Sequence, residues 1–271
     1  MICTIDGIQL YYEEHGKGIP VLCLHGFTVD HRIMTGCLEP IFQSLEGYRR
    51  IYLDLPGMGK TPVSQNIKNA DDMLAVVEKF VAAVIGDEKF LLVGESYGGY
   101  LSLGLLHLQA KIEGLFLICP CIIADIQQRE LPEKEIMKHD KDLALIKDDK
   151  DYENFMDAAV IATKETFLRY KQEISPGILM ADKPFLAKYR KEGYSFSFAD
   201  KISSIKSDRP ACIVLGRQDD SVGYMDALKL ISNFTRATFV VADSSGHNLQ
   251  IEREGLLTAS FIDWLERISA E

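Results

Sequence analysis

The segment VGESYGGY, residues 93 to 100, sets one serine between Gly94 and Gly98, with a third glycine at position 99. The apolar run Phe90-Leu91-Leu92 enters it, and the mostly apolar run LSLGLL, residues 101 to 106, leaves it. Glycine weakens strand and helix interiors alike, so three of them around Ser96 mark backbone that must pass without side chains. The run KFLLVG reads as a buried strand, and the chain from Tyr97 as a helix. A strand that becomes a helix within a residue or two turns sharply. The corner residue is then strained, with its side chain exposed at the carboxyl edge of the sheet, and its neighbours two positions away must be small. This is G-x-S-x-G, which presents the serine as a nucleophile. The helix that starts there also aims backbone N–H groups at negative charge developing beside Ser96.

A serine hydroxyl needs a base, and the base needs an orienting group. Six histidines are available. His107 lies far along the helix after Ser96, His139 in a charged block, His31 at the start of an early helix and His15 after the first hairpin. Only His25 and His247 stand beside the carboxyl ends of strands, where ligands bind in open α/β sheets. His25, followed by Gly26, suits the shaping of a loop. His247, in DSSGHNL between the last strand and the last helix, suits the base. The acid should come from another strand end, between serine and histidine in chain order. IVLGRQDD offers Asp219 and Asp220 there, and serine, acid, histidine is the order that goes with this elbow.

Strands and helices alternate around these residues. ICTIDGIQLYYEEHG holds two strands about the turn Asp6-Gly7, a hairpin signal. IPVLCLHG, RRIYLDLPGMG, KFLLVG and IEGLFLICP are short buried strands. Helices are expected between about Asp30 and Leu45, in DDMLAVVEKFVAAVIG with acidic residues in its first turn, and after Ser96. From about Cys121 to Ser207 the chain is heavily charged and helical in pattern, broken at Pro132, Pro176 and Pro184. Alternation resumes with ACIVLGRQDD, a helix around GYMDALKLIS, the strand in ATFVVADSSGH and an amphipathic helix at LLTASFIDWLER. The expectation is an α/β fold: a mainly parallel sheet with an antiparallel N-terminal hairpin, helices on both faces and a helical insertion. Phe155, Met156, Phe167, Ile178, Leu179 and Met180 are expected mostly inside that insertion's own core, since an amphipathic helix must bury a face.

The motifs LHGF, DLPGMGKT, GESYGG, GRQD and GHNLQIE, in this order, resemble those of the α/β-hydrolase fold superfamily, and the resemblance covers nearly the whole chain outside the insertion. It implies Ser96 as nucleophile, Asp219 rather than Asp220 as acid, and His247 as base. It implies the backbone N–H groups of Tyr97 and Phe27 as the oxyanion hole. It implies residues 1–120 and 208–271 as the core and residues 121–207 as a helical lid. Dehalogenases and epoxide hydrolases of this fold carry aspartate at the elbow; the serine here implies hydrolysis of a small-molecule carboxylic ester. Peptidase, thioesterase, carbon–carbon hydrolase and acyltransferase chemistry would use the same triad, and some proteins of this fold are small-ligand receptors.

Composition narrows the partners. A net charge of −10 argues against nucleic acid and anionic membrane surfaces. No continuous apolar run reaches the ~18 residues of a membrane span, and MICTIDGIQLYYEEHGKG lacks the basic-then-apolar pattern of a signal peptide, so a cytoplasmic monomer or homodimer is expected. The six cysteines, Cys3, Cys23, Cys37, Cys119, Cys121 and Cys212, show no C-x-x-C spacing and read as structural thiols. DLPGMGKT is not a phosphate loop, because Asp54 stands where the first glycine would. No cofactor and no metal is expected.

Overall fold

The structure, a computed structural model, describes residues 1–108 and 111–270. Strands β1 (Ile2–Ile5) and β2 (Ile8–Gly16) flank Asp6 and Gly7, whose φ angles of 49° and 82° make the turn that matches strand twist. There follow β3 (Ile19–Leu24), α1 (Arg32–Phe42), β4 (Tyr48–Leu53), α2 (Ala70–Val84), β5 (Phe90–Glu95), α3 (Tyr97–Leu108) and β6 (Ile112–Ile118). Helix α2 starts at a reciprocal cap: Asn69 accepts from the Asp72 N–H, and the Asp72 carboxylate accepts from the Asn69 N–H.

The charged block comes next. It holds short 3₁₀ turns at Ile126–Gln128 and Lys141–Ile146, β7 (Lys138–His139), α4 (Tyr152–Ala158), β8 (Ile161–Ala162), α5 (Lys164–Glu173), α6 (Ser175–Met180), α7 (Lys183–Glu192) and α8 (Ala199–Ile202). The chain closes with β9 (Ala211–Gly216), α9 (Met225–Leu228), β10 (Ala237–Ala242), α10 (Leu249–Glu252) and α11 (Glu254–Ser269).

The main sheet has eight strands in the order β1-β2-β4-β3-β5-β6-β9-β10. Only the pairs β1–β2 and β2–β4 are antiparallel. The central strands β3, β5, β6 and β9 are buried almost throughout, which explains their continuous apolar runs. Helices α2 and α3 pack on each other, and α1 packs on α11, so both faces are covered. On the α11 side, Phe116 and Phe261 meet edge to face with Trp264 tilted against both, and the indole N–H donates to the Pro210 carbonyl at 3.0 Å.

Three expectations change in detail. The block is less helical before Asp151 than its pattern suggests, and β7 and β8 form a two-residue parallel pair within it. The helix around GYMDALKLIS contracts to Met225–Leu228. Phe155 and Phe167 are buried with rings 5.2 Å apart, as expected, but Leu179 and Met180 are exposed. Among the described residues, no helix is long and apolar enough to cross a membrane.

Candidate active site

Ser96 sits at the corner between β5 and α3 with φ 52°, in the left-handed region that L residues avoid. The corner is held from three sides: the Ser96 N–H donates to the Ile118 carbonyl at 3.0 Å, and the Ser96 carbonyl accepts from Cys121 and Tyr100. The flanking glycines have a steric reason. A Cβ on Gly98 would fall on the carbonyl oxygen of Leu24, one on Gly94 would meet the Gly98 carbonyl, and one on Gly99 would strike Pro120. Helix α3 can cross β3 and β5 this closely only without those side chains.

The loop after β10 brings His247 over the corner. Its Nε2 stands 2.9 Å from Ser96 Oγ, and its Nδ1 stands 2.9 Å from Asp219 Oδ2. Asp219, in the loop after β9, is fully buried, and its other oxygen accepts from the Ser221 and Val222 N–H groups. Asp220 is outside this line and lines a cavity instead. Burial works against charge on the His247 ring, but the charge and hydrogen bond of Asp219, with the charge of Glu95, outweigh it and lift the imidazole to about 9. An imidazole with a neutral Nε2 facing Oγ can take the serine proton, and Asp219 holds the tautomer that allows it.

His25 has the structural place that its neighbour Gly26 suggested. Its Nδ1 donates to the Gly26 carbonyl at 2.7 Å and its Nε2 accepts from the Leu55 N–H at 3.0 Å. Burial lowers its pKa, so it stays neutral and ties two loops together. Phe27, next along, lines two cavities that both contain Ser96 and His247. Its ring packs edge-on against that of Tyr97, the first residue of α3, at 5.5 Å.

One cavity, of about 280 Å³, has mainly apolar walls: Val29, Ile33, Ala158, Tyr170, Ile174 and Ile178. The other, of about 520 Å³, is the more polar of the two, with Asp125, Arg129, Asp157, Arg190 and Asp220 in its walls. Among the described residues, two groups of side chains have the residue types of a metal site, Cys119/Asp219/His247 and Asp30/His31/Asp54. In the first, Asp219 and His247 bond each other, and burial pushes the Cys119 thiol well above its usual range, so it stays protonated. In the second, His31 bonds Asp54 and lies 3.1 Å from Glu13, while Asp30 pairs with Arg32. Both sets are already committed to partners within the protein.

Sequence reasoning missed several residues that hold the site. Glu252, inside the quoted GHNLQIE, accepts from the N–H groups of Val160, Ile161 and Gly246. Arg129 donates to the carbonyls of Ile123, Ala124 and Ser221, and so fastens the start of the charged block to the loop carrying Asp219. Glu95, inside the elbow itself, lies 3.6 Å from His247 Nε2. The Tyr97 and Tyr189 hydroxyls meet at 2.5 Å, joining α3 to α7. Of these, Glu95, Tyr97 and Glu252 lay within quoted motifs, and Tyr97 was singled out only for its backbone N–H.

Comparison with known proteins identifies the fold family. A family model described as alpha/beta hydrolase fold matches residues 19–254. The crystal structure of an alpha/beta superfamily hydrolase from Oenococcus oeni PSU-1 is similar with a TM-score of 0.90, at 32% identity over 96% of each chain. A pimeloyl-(acyl-carrier protein) methyl ester esterase of Shewanella sp. (strain MR-7) is 31% identical over 43% of this chain and 41% of its own length. A 2-hydroxy-6-oxo-6-(2'-aminophenyl)hexa-2,4-dienoic acid hydrolase of Metapseudomonas resinovorans is 30% identical over 39% of this chain and 37% of its own. The chain thus matches both curated relatives over less than half of their length.

Proposed function

The chain belongs to the alpha/beta hydrolase fold family, and we propose that it is a serine hydrolase that cleaves a small-molecule carboxylic ester through an acyl-serine intermediate. One observation carries the reading: a single imidazole, that of His247, stands at hydrogen-bond distance from both Ser96 Oγ and the Asp219 carboxylate. Ser96 Oγ attacks the ester carbonyl while His247 Nε2 takes its proton. The Phe27 and Tyr97 N–H groups hold the oxyanion. His247 then gives the proton to the leaving alcohol, and a water activated by the same ring releases the acid. Residues 121–207 act as the lid, supplying the far walls of both cavities. The protein works in the cytoplasm as a monomer or homodimer, on a small molecule.

The choice of an ester is supported by the relatives named as methyl ester esterases. The relative named as a dienoic acid hydrolase supports one second reading, hydrolysis of an unsaturated oxo-acid by the same serine. A panel of activated esters, thioesters, aminoacyl amides and unsaturated oxo-acids separates the two. With the best substrate, Ser96→Ala should lower turnover by a factor on the order of 10⁶, as loss of a serine nucleophile does, with an unchanged melting temperature. A Ser96→Ala protein as active as the parent would overturn the reading.

A further inference from the structure

We propose that Glu95 is a positioning residue of this site, a second carboxylate that stabilises the His247 imidazolium formed as Ser96 attacks and thereby sets the pH range in which His247 is a base. The proposal rests on the serine-hydrolase reading above and goes beyond its three residues.

Glu95 occupies the variable position before the serine, as the last residue of β5. It is 2% exposed, yet it lines the apolar cavity together with Ser96 and His247. Its Oε1 stands 3.6 Å from His247 Nε2, the same nitrogen that faces Ser96 Oγ. Its Oε2 is packed against Gly26, whose backbone N–H favours the ionised carboxylate without reaching full hydrogen-bond geometry. Among the described residues, the His247 ring is the one group that forms an ion pair with Glu95.

The surrounding charges decide the sign. Around His247 stand Asp219 from the loop after β9, Glu95 from β5, and Arg129 from the lid segment, whose positive charge works against the other two. Around Glu95 stand His247 and the Gly26 backbone N–H, which favour its ionised form, and Asp219, which opposes it. The nearby Cys119 and Cys37 thiols are pushed up by burial and carry no charge. When Ser96 gives up its proton, positive charge appears on the ring, 3.6 Å from Glu95 Oε1. A negative carboxylate there favours that charge, and removing it makes the ring less basic. Burial lifts Glu95 itself to about 7, so it gains its full charge only above neutrality. The two effects place the working limb of the protein on the alkaline side of an ordinary histidine.

The test needs no natural substrate. The rate at which a fluorophosphonate labels Ser96, and the kcat/KM for an activated short ester, are measured from about pH 5 to about pH 10. In the wild-type protein both should rise with a midpoint above the ordinary histidine value of about 6.5. Glu95→Gln keeps the shape and removes the charge. Its midpoint should fall by about one unit, the usual effect of losing an opposite charge within ~4–6 Å. Its high-pH plateau, where the ring is already deprotonated, should drop by no more than about tenfold per unit of that shift, the limit for rate following base strength. Glu95→Ala, which leaves room for water, should move the midpoint in the same direction, so whichever variant folds decides the matter. A structural role alone would lower the melting temperature and leave the midpoint in place. An unmoved midpoint with Ser96 still labelled overturns the role of Glu95. Absence of Ser96 labelling in the wild type at every pH overturns instead the serine-hydrolase reading on which it rests.

Discussion

The Asp219 carboxylate is divided between two tasks. Oδ2 faces His247 Nδ1 at 2.9 Å, while Oδ1 closes the loop after β9 by accepting from Ser221 and Val222. Asp220, one residue on, turns away from the ring toward the polar cavity. Asp219→Asn should therefore lower turnover by a factor on the order of 10⁴, because an amide fixes the wrong tautomer of the base. Asp220→Asn should stay near the parent; turnover of both variants on one ester decides, and a crippled Asp220→Asn with a normal Asp219→Asn would reverse the assignment. At this scale legibility was uneven. Ser96 and His247 could be read from local pattern, a serine among glycines and a histidine after the last strand. Choosing Asp219 over Asp220 took the resemblance of GRQD, since alternation of side chains says only that the two diverge. The approach of Glu95 to His247 could not be read, because it joins two segments far apart in the chain, the end of β5 and the loop after β10.

Elements were easier to read than their joints. The strands announced themselves as apolar runs, α2 by its acidic first turn and α3 by the elbow. The block from 121 to 207 was readable as an insertion, but its inner structure was not, because short helices with half-buried faces give weak periodicity. Leu179 and Met180 show why: α6 is only Ser175–Met180, too short to bury a full stripe, and its end is left exposed. One of the ties from this block to the site is Glu252 of α10. One of its oxygens holds the Val160 and Ile161 N–H groups at 2.7 and 3.0 Å, and the other holds the Gly246 N–H at 2.7 Å, next to His247. Glu252→Ala leaves three donors without an acceptor in a buried place, at a cost of about 1–3 kcal/mol for each that water cannot reach. Slack in the Gly246–His247 turn should lower kcat by up to about 10², the order expected when a catalytic group is misplaced by ~1 Å. Glu252→Gln, which keeps one acceptor oxygen, should recover part of both. Thermal melts and kcat for the two variants test this; a full loss of stability with kcat unchanged in the folded fraction would show that the tie does not reach His247.

The whole molecule determines what the site can accept, because neither the sheet nor the inserted block encloses a cavity alone. The apolar cavity takes Val29 and Ile33 from the core and Ala158, Tyr170, Ile174 and Ile178 from α4, α5 and the start and body of α6. The polar one takes Asp125, Arg129, Asp157 and Arg190 from the block and Asp220 from the core. Both are lined by Ser96, so the proposed ester would be unsymmetrical, with an apolar arm on one side and a hydrogen-bonding arm on the other. The apolar arm is the smaller: about 280 Å³ holds roughly nine groups at the ~30 Å³ each takes in a liquid. If the acyl chain enters there, kcat/KM on esters of one alcohol should rise from acetyl through short chains, gaining with each buried methylene. It should fall once the chain passes about eight carbons, because each further methylene then meets a wall at ~1–3 kcal/mol. Tyr170 is 2% exposed and closes this cavity from α5, where its ring packs 5.6 Å from that of Phe155. Tyr170→Ala should shift the optimum to longer chains while slowing short ones by no more than a few-fold, since the reacting groups are untouched. Measured chain-length profiles of the two proteins decide it: equal turnover of palmitoyl and butyryl esters by the wild type, or the same optimum in both proteins, would place the acyl chain in the polar cavity instead.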